Sequence, residues 1–253
     1  MTAGRLLVTC ALCAGGATVA RAEPGDVVGA VRPPPGAGAV AVVDQRSLTA
    51  GQVGAAWSLA IDATIGVTPS LALGVSHSGA ALGLPRDGGG LCIDSAAHDC
   101  ASLYAGGFVD ARWRAPGARS VTVLVRLGVA GRDPWKPAVR LGAIARGRRD
   151  AMWWAVQPEV AVALASRGNG NRDALHVPAW FGVAAGPVQA WAESGVHGDV
   201  DGFGDGYAVP LGVGVAGARR GVTLAVTAGF PQLFGPRGST RIRAGTWWAR
   251  YRW

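Results

Sequence analysis

The chain has 253 residues, and its 24 basic and 16 acidic residues give a formal net charge of +8. The basic residues are scattered rather than clustered, which argues against a nucleic-acid partner and favours an anionic surface or solute. Forty glycines, ten tryptophans and only two methionines are unlike a helical domain, and the sequence has no run of about 18 apolar residues that would predict a membrane-spanning helix.

The N-terminus has the parts of a secretory signal peptide. A positive start ends at Arg5, an apolar stretch follows, and Ala20-Arg21-Ala22 offers the small-x-small pattern that signal peptidase reads. The apolar stretch is shorter than the roughly 20 residues of a spanning helix, which disfavours a signal anchor. We therefore predict a signal peptide at residues 1–22, cleaved before Glu23.

Two cysteines leave with this signal peptide, and Cys92 and Cys100 remain. An even pair in an exported chain predicts a disulfide, which here would close a short loop. A metal site built from both thiols and His98 is the alternative, but it would lack a fourth ligand.

From residue 39 onward, hydrophobicity alternates with a period of two. Membrane-spanning β-strands need this pattern because one face meets lipid and the other meets the lumen. In residues 102–114, for example, Val109 and Trp113 are apolar whereas Asp110 and Arg112 lie on the other face. The alternation predicts strands at residues 39–44, 53–62, 102–114, 121–132, 139–148, 154–164, 175–183, 188–197, 207–215, 222–230 and 245–253, with one more from a strand-turn-strand unit at 65–75.

Short and long connections alternate between these predicted strands. The short turns are at residues 66–69, 116–119, 149–150, 186–187 and 219–221. The longer loops are at residues 79–101, 133–137, 167–174, 199–206 and 236–240. Outer-membrane barrels join strands by short periplasmic turns and longer outer loops, so an even strand number predicts that both termini are periplasmic.

The last nine residues carry aromatic side chains at Trp247, Tyr251 and Trp253, and the chain ends on an aromatic residue. This pattern resembles the C-terminal assembly signal of Gram-negative outer-membrane β-barrel proteins. The resemblance implies an all-β, antiparallel, up-and-down transmembrane barrel of about 12 strands at residues 39–253. It also implies an outer-membrane location, contact with lipid and lipopolysaccharide, and insertion by the barrel-assembly machinery.

A secreted β-sandwich is the alternative fold, because its strands also alternate and its apolar face would form the interior. The terminal aromatic residue favours the barrel. Trp57, Trp113 and Trp135 lie near predicted strand ends, where tryptophan suits the interfaces of a membrane.

In a barrel, the polar faces of the strands line the lumen. The predicted lumen residues are Asp110, Arg112, Arg126, Arg140, Arg146, Glu159 and Glu193, accompanied on the same faces by Asp62, His176 and Gln189. The basic excess predicts a narrow porin-like channel for small polar or anionic solutes. Two alternatives stay open: the side chains pair and fill the lumen, or a non-conducting structural or adhesion barrel acts through its outer loops.

The loop at residues 199–206 is the candidate metal site. Asp199, Asp201 and Asp205 alternate with glycines and could wrap a calcium ion, but Phe203 stands where a ligand is expected and no glutamate closes the loop. A solvated outer loop is the alternative. The sequence predicts no other cofactor.

An outer-membrane hydrolase is a further function class, and it would need a nucleophile, a histidine and an orienting carboxylate. His176 near Asp173, or His197 with Glu193, could form a proton-transfer pair. No convincing catalytic constellation results, so the prediction is a non-enzyme. Residues 23–38 are predicted to be a periplasmic N-terminal extension, with entry into the lumen as a small plug as the alternative.

Overall fold

A computed structural model describes residues 26–29, 32–49, 57–77, 91–92, 104, 106–114, 117, 120–130 and 134–253. Nearly all of its regular structure is β-strand. The strands are β1 (Gly38–Ser47), β2 (Trp57–Gly66), β3 (Leu71–Ser76), β4 (Leu91–Cys92), β5 (Gly107–Trp113), β6 (Val121–Val129), β7 (Pro137–Arg149), β8 (Met152–Val156), β9 (Glu159–Ala163), β10 (Ala174–Ala185), β11 (Val188–Asp199), β12 (Val209–Arg219), β13 (Val222–Phe234) and β14 (Ala244–Arg252). Single helical turns occur at Arg167–Asn169 and, as α1, at Phe203–Gly206.

The sheet closes on itself because β1 pairs antiparallel with both β2 and β14. Val43, for example, lies opposite Ala60 on one side and Trp248 on the other. Around the barrel, neighbours in space follow the order of the chain and are antiparallel. The short strand β4 is additional and pairs with the start of β2.

β8 and β9 are two halves of one barrel strand, since both lie between β7 and β10. The break falls at Gln157 and Pro158, where proline has no N–H to donate to the ladder. The backbone N–H of Gln157 still donates to the carbonyl of Pro178 at 2.9 Å. Counting this pair once and leaving out β4, the barrel has 12 strands, which confirms the predicted all-β, antiparallel, up-and-down fold.

Among the connections that the structure describes, short turns lie at one end of the barrel and longer loops at the other, as predicted. Asp150, Gly186 and Gly221 have φ values of 53°, 60° and 81°, the left-handed conformations that tight hairpin turns use. We call the two ends the short-turn end and the long-loop end. Which end faces the periplasm stays a prediction. Among the described residues, no helix is long and apolar enough to cross a membrane.

The apolar face of the alternation points outward. Val109, Val213 and Leu224 are 62%, 63% and 60% exposed, whereas Arg126 and Glu159 are 2% and 1% exposed. A β-sandwich would bury the apolar face and expose the charges, so the closed barrel excludes that alternative. The outer surface is an apolar belt of the kind that a bilayer covers.

Large aromatic side chains fill part of the interior. Trp153, Trp180, Trp191 and Trp248 are almost fully buried and belong to one apolar cluster, which we call the tryptophan cluster. The Trp191 ring lies 6.3 Å from that of Trp153 and 6.0 Å from that of Trp248. Glycine makes room for these rings: a Cβ at Gly214 would lie 2.3 Å from the Trp191 ring.

Candidate functional site: the barrel interior

Residues 26–29 of the N-terminal segment lie inside the barrel. Val27 and Val28 are 2% and 5% exposed and belong to the same apolar core as the tryptophan cluster. Gly29 adopts a φ of +63°, and a Cβ there would lie 2.7 Å from Ile144, so glycine allows the segment to turn against the barrel wall. We call Asp26–Gly29 the plug.

Three arginines hold the plug. The Arg146 Nη1 lies 2.8 Å from the Asp26 carboxylate, and the Arg252 Nη1 lies 3.1 Å from it. Arg250 donates to the backbone carbonyl of Asp26 at 2.6 Å, and Arg252 donates to the same oxygen at 2.9 Å. Arg146 also donates to the carbonyl of Val28 at 2.7 Å. Arg146, Arg250 and Arg252 form what we call the arginine triad.

The sequence positions of the three arginines explain where the triad lies. Arg250 and Arg252 are two residues apart on β14, so both side chains point into the barrel. Arg146 lies three residues before the end of β7, next to a short turn. The triad and the plug therefore sit near the short-turn end.

A second set of charges lies on the inward faces of β5, β6 and β9. Arg126 Nη1 lies 3.0 Å from one oxygen of Glu159 and 3.1 Å from the other, and both side chains are buried. The side-chain amide of Gln157 donates to Glu159 at 2.7 Å. On β5, Arg112 Nε donates to Asp110 at 2.5 Å. We call these five residues the central network.

Two further predicted lumen residues lie beside it. The Arg140 guanidinium stands over the ring of Phe108, 4.5 Å from its centroid, which is a cation–π geometry. Glu193 is buried at the edge of the tryptophan cluster, where the indole N–H of Trp191 donates to it at 3.4 Å. The lumen is thus crossed by paired charges and aromatic rings rather than lined by isolated charges.

At the long-loop end, His176 and His197 contact each other and a backbone carbonyl, and Asp173 contacts an arginine. The rings of His176 and His197 stack with centroids 6.3 Å apart, and the His197 Nε2 lies 3.2 Å from the carbonyl oxygen of Pro231. Asp173 pairs with Arg167 at 2.8 Å and accepts the backbone N–H of Ala163. The hydrogen bond from Arg167 is the main reason that the pKa of Asp173 lies below its usual range.

In the loop proposed for calcium, Asp199 faces two arginines. Arg172 and Arg237 approach its carboxylate at 3.6 and 4.0 Å. In the part of the chain that the structure describes, no three His, Cys, Asp or Glu side chains gather closely enough to hold a metal ion. The predicted disulfide involves Cys100 and the side chain of Cys92, which lie outside the described residues.

The structure places all seven sequence-predicted lumen residues on the inward faces of their strands. It brings Asp110, Arg112, Arg126 and Glu159 into the central network, whereas Arg146 joins the plug and Arg140 and Glu193 stand beside aromatic rings. Sequence reasoning missed the tryptophan cluster and the inward roles of Arg250 and Arg252. The alternation contained the signal, because Trp191 has the same parity as Gln189 and Glu193, and Trp248 has the same parity as Arg250 and Arg252.

No protein-family model matches the sequence. It also matches no curated protein. The fold is similar to that of an outer membrane channel from Pseudomonas putida F1, with 13% identity, a TM-score of 0.55, and coverage of 91% of this chain and 99% of that one.

It is also similar to the KdgM porin solved in complex with disordered oligogalacturonate, with 9% identity, a TM-score of 0.53, and coverage of 83% of this chain and 98% of that one. The NanC porin gives 5% identity with the same TM-score and coverage. These similar structures are porins and channels, not enzymes. With the apolar belt, they show that this chain has the fold of an outer-membrane β-barrel.

Proposed function

We propose that the chain is a narrow outer-membrane channel for small polar or anionic solutes. The observation that carries this proposal is the basic excess on the inward faces of a closed barrel. The inward arginines are Arg112, Arg114, Arg126, Arg140, Arg146, Arg250 and Arg252, and the inward carboxylates of the strands are Asp62, Asp110, Glu159 and Glu193. Arginine-rich walls favour anions over cations.

Several arginines are already engaged within the protein. Glu159 neutralises Arg126, and Asp110 neutralises Arg112. Arg140 is half-buried on the inward face of β7, and its guanidinium lies over the ring of Phe108. We expect the channel to act on a passing anion through Arg140 and the arginine triad, because these positive charges lie on its inward wall.

The similar porins suggest one class of solute to test. KdgM was solved with oligogalacturonate, a chain of carboxylate-bearing sugars. Because the likeness is one of fold alone, a carboxylate sugar is a probe for this chain rather than an assigned substrate.

Other parts of the proposal concern export and surroundings. Residues 1–22 act as a cleaved signal peptide, and residues 247–253 act as the signal for the barrel-assembly machinery. Cys92 and Cys100 form a disulfide in a loop. Lipopolysaccharide surrounds the outer end of the barrel, and calcium bridges it to Asp201 and Asp205. These proposals rest on sequence pattern.

The channel is tested by single-channel conductance of the refolded mature chain in a planar bilayer, with reversal potentials in asymmetric potassium chloride. We expect discrete steps with anion preference. Replacing Arg140 by glutamine should lower the anion preference, because one positive charge leaves the lumen. Arg219→Gln is the matched control, since Arg219 is exposed at a short turn.

Two results would count against a channel. One is the absence of conductance in a barrel whose folding has been verified and whose plug has been removed. The other is conductance with cation preference, which would contradict the role of the arginines. If the Arg140→Gln and Arg219→Gln variants have the same anion selectivity, Arg140 does not act on the passing anion, and only the arginine triad stays in the proposal.

A further inference from the structure

The plug brings a carboxylate of the chain itself to the arginine triad. The Asp26 side chain accepts from Arg146 and Arg252, while its backbone carbonyl accepts from Arg250 and Arg252. A carboxylate held by guanidinium groups from two strands has the geometry of a bound anionic ligand. Here the ligand is part of the chain.

Among the described residues, positive charge predominates at this site. Three arginines contact Asp26, and the charges of Arg112 and Arg114 also act on Arg146. Asp62 is a second acid whose charge acts on Arg250. The Nε of Arg252 is buried and has no hydrogen-bond partner among the described residues. Among the described residues, the three arginines therefore carry more positive charge than Asp26 alone compensates, and the Arg252 Nε is a donor that Asp26 does not use.

We infer that the arginine triad is a carboxylate-binding site of the channel, and that Asp26 occupies it in the resting barrel in place of a soluble carboxylate. This inference rests on the proposed channel function and deepens it. It assigns the class of ligand, the residues that bind it, and the segment that competes with it.

The competition follows from electrostatics. If the plug left alone, the three arginines would lose their carboxylate inside the barrel, which is unfavourable for a cluster of like charges. A solute carboxylate that takes the place of Asp26 restores the compensation. Solute binding and plug release are therefore linked, because the solute binds better to the barrel whose triad is vacant.

The apolar half of the plug keeps the resting state closed. Val27 and Val28 are buried in the same core as Trp153, Trp191 and Trp248. This contact carries no charge, so a soluble carboxylate does not compete with it directly. We therefore expect a soluble carboxylate to raise the fraction of barrels in which the plug has left the triad, not to remove the plug from every barrel.

The experiment compares Asp26→Asn with wild type in planar bilayers and measures the fraction of time that the channel is open. Asparagine is nearly isosteric but has no charge, so the open-to-closed ratio should rise by about tenfold or more, which corresponds to about 1.4 kcal/mol. Asp26→Glu keeps the charge and should stay closed like wild type. Asp150→Asn is the matched control, because Asp150 is exposed in a turn at the same end.

A soluble probe tests the ligand class. Sodium D-glucuronate added to wild type should raise the open fraction toward that of Asp26→Asn, whereas D-glucose, which has no carboxylate, should not. The Asp26→Asn variant should respond to glucuronate less than wild type, because its plug no longer competes.

The outcomes separate the inference from the channel itself. A conducting wild type with an unchanged Asp26→Asn variant and no response to glucuronate would overturn the inference and leave the channel. Equal opening by glucose and glucuronate would overturn the ligand class. If wild type, Asp26→Asn and a variant lacking residues 23–30 all fold but show no conductance, the proposed channel function is wrong. The inference that rests on it is then wrong as well.

Discussion

At the scale of single residues, the interior depends on how its buried charges are paired. Arg126 is 2% exposed, and Glu159 at 3.0 Å is the carboxylate that compensates it. Two of the guanidinium nitrogens of Arg126 are buried without a hydrogen-bond partner in the described part of the chain. Removing one partner of such a pair lowers the free energy of unfolding strongly, because the other charge then stays buried without compensation.

We therefore expect Glu159→Gln to lower the free energy of unfolding by about 3–5 kcal/mol, the range for removing one partner of a buried pair. Glutamine fills the same space, so the loss reports charge rather than packing. The measurement is urea unfolding of the barrel in lipid vesicles, followed by tryptophan fluorescence.

Asp173→Asn is the control for this prediction. It removes a carboxylate that pairs with the exposed Arg167, and surface pairs contribute little because water screens them. Similar losses from the two variants would show that burial of the Arg126 pair does not decide its contribution.

At the scale of elements, β14 has three tasks. It closes the barrel against β1, it contributes Arg250 and Arg252 to the arginine triad, and it ends the chain on exposed aromatic residues. Tyr251 and Trp253 stack with their rings 6.2 Å apart on the outer face. Alternation separates these tasks, since the residues that hold the plug and those that face lipid occupy opposite faces of one strand.

This separation makes the assembly signal testable. Trp253→Ser should impair insertion into the outer membrane far more than Arg252→Gln, because only the first removes the terminal aromatic residue. The measurement is the yield of folded barrel in isolated outer membranes, judged by its resistance to unfolding in cold detergent. Equal effects of the two variants would argue against the assembly-signal interpretation.

At the scale of the whole molecule, the barrel has an apolar outer surface and a charged, aromatic interior. Val213 is 63% exposed in the middle of β12, whereas Val222 lies at the start of β13, next to a short turn. In a bilayer, the first position lies near the midplane and the second near an interface.

We expect Val213→Arg to cost about 2–4 kcal/mol of stability and Val222→Arg about 0–1 kcal/mol, because the cost of a charge on the lipid face falls toward the interface. Reversible unfolding in phospholipid vesicles measures both. Equal and small costs would mean that β12 does not face hydrocarbon.

Much of this architecture could be predicted from the alternation of residues. The strands and the inward faces of Arg126 and Glu159 follow from a period of two, because successive side chains of a strand must point to opposite sides. The alternation of short and long connections predicted the up-and-down order of the strands. The same parity put Trp191 and Trp248 inside, but tryptophan is expected at membrane interfaces, and that expectation hid the cluster.

The sequence by itself thus determined which face of each strand looks inward and how the chain winds into a barrel, since those properties are local. Only the tertiary structure decided which inward residues meet across the lumen: Arg126 with Glu159 from different strands, and the arginine triad with Asp26 from the plug. Such contacts join residues up to 226 positions apart. They depend on barrel closure and on the path of the N-terminal segment, which no local pattern encodes.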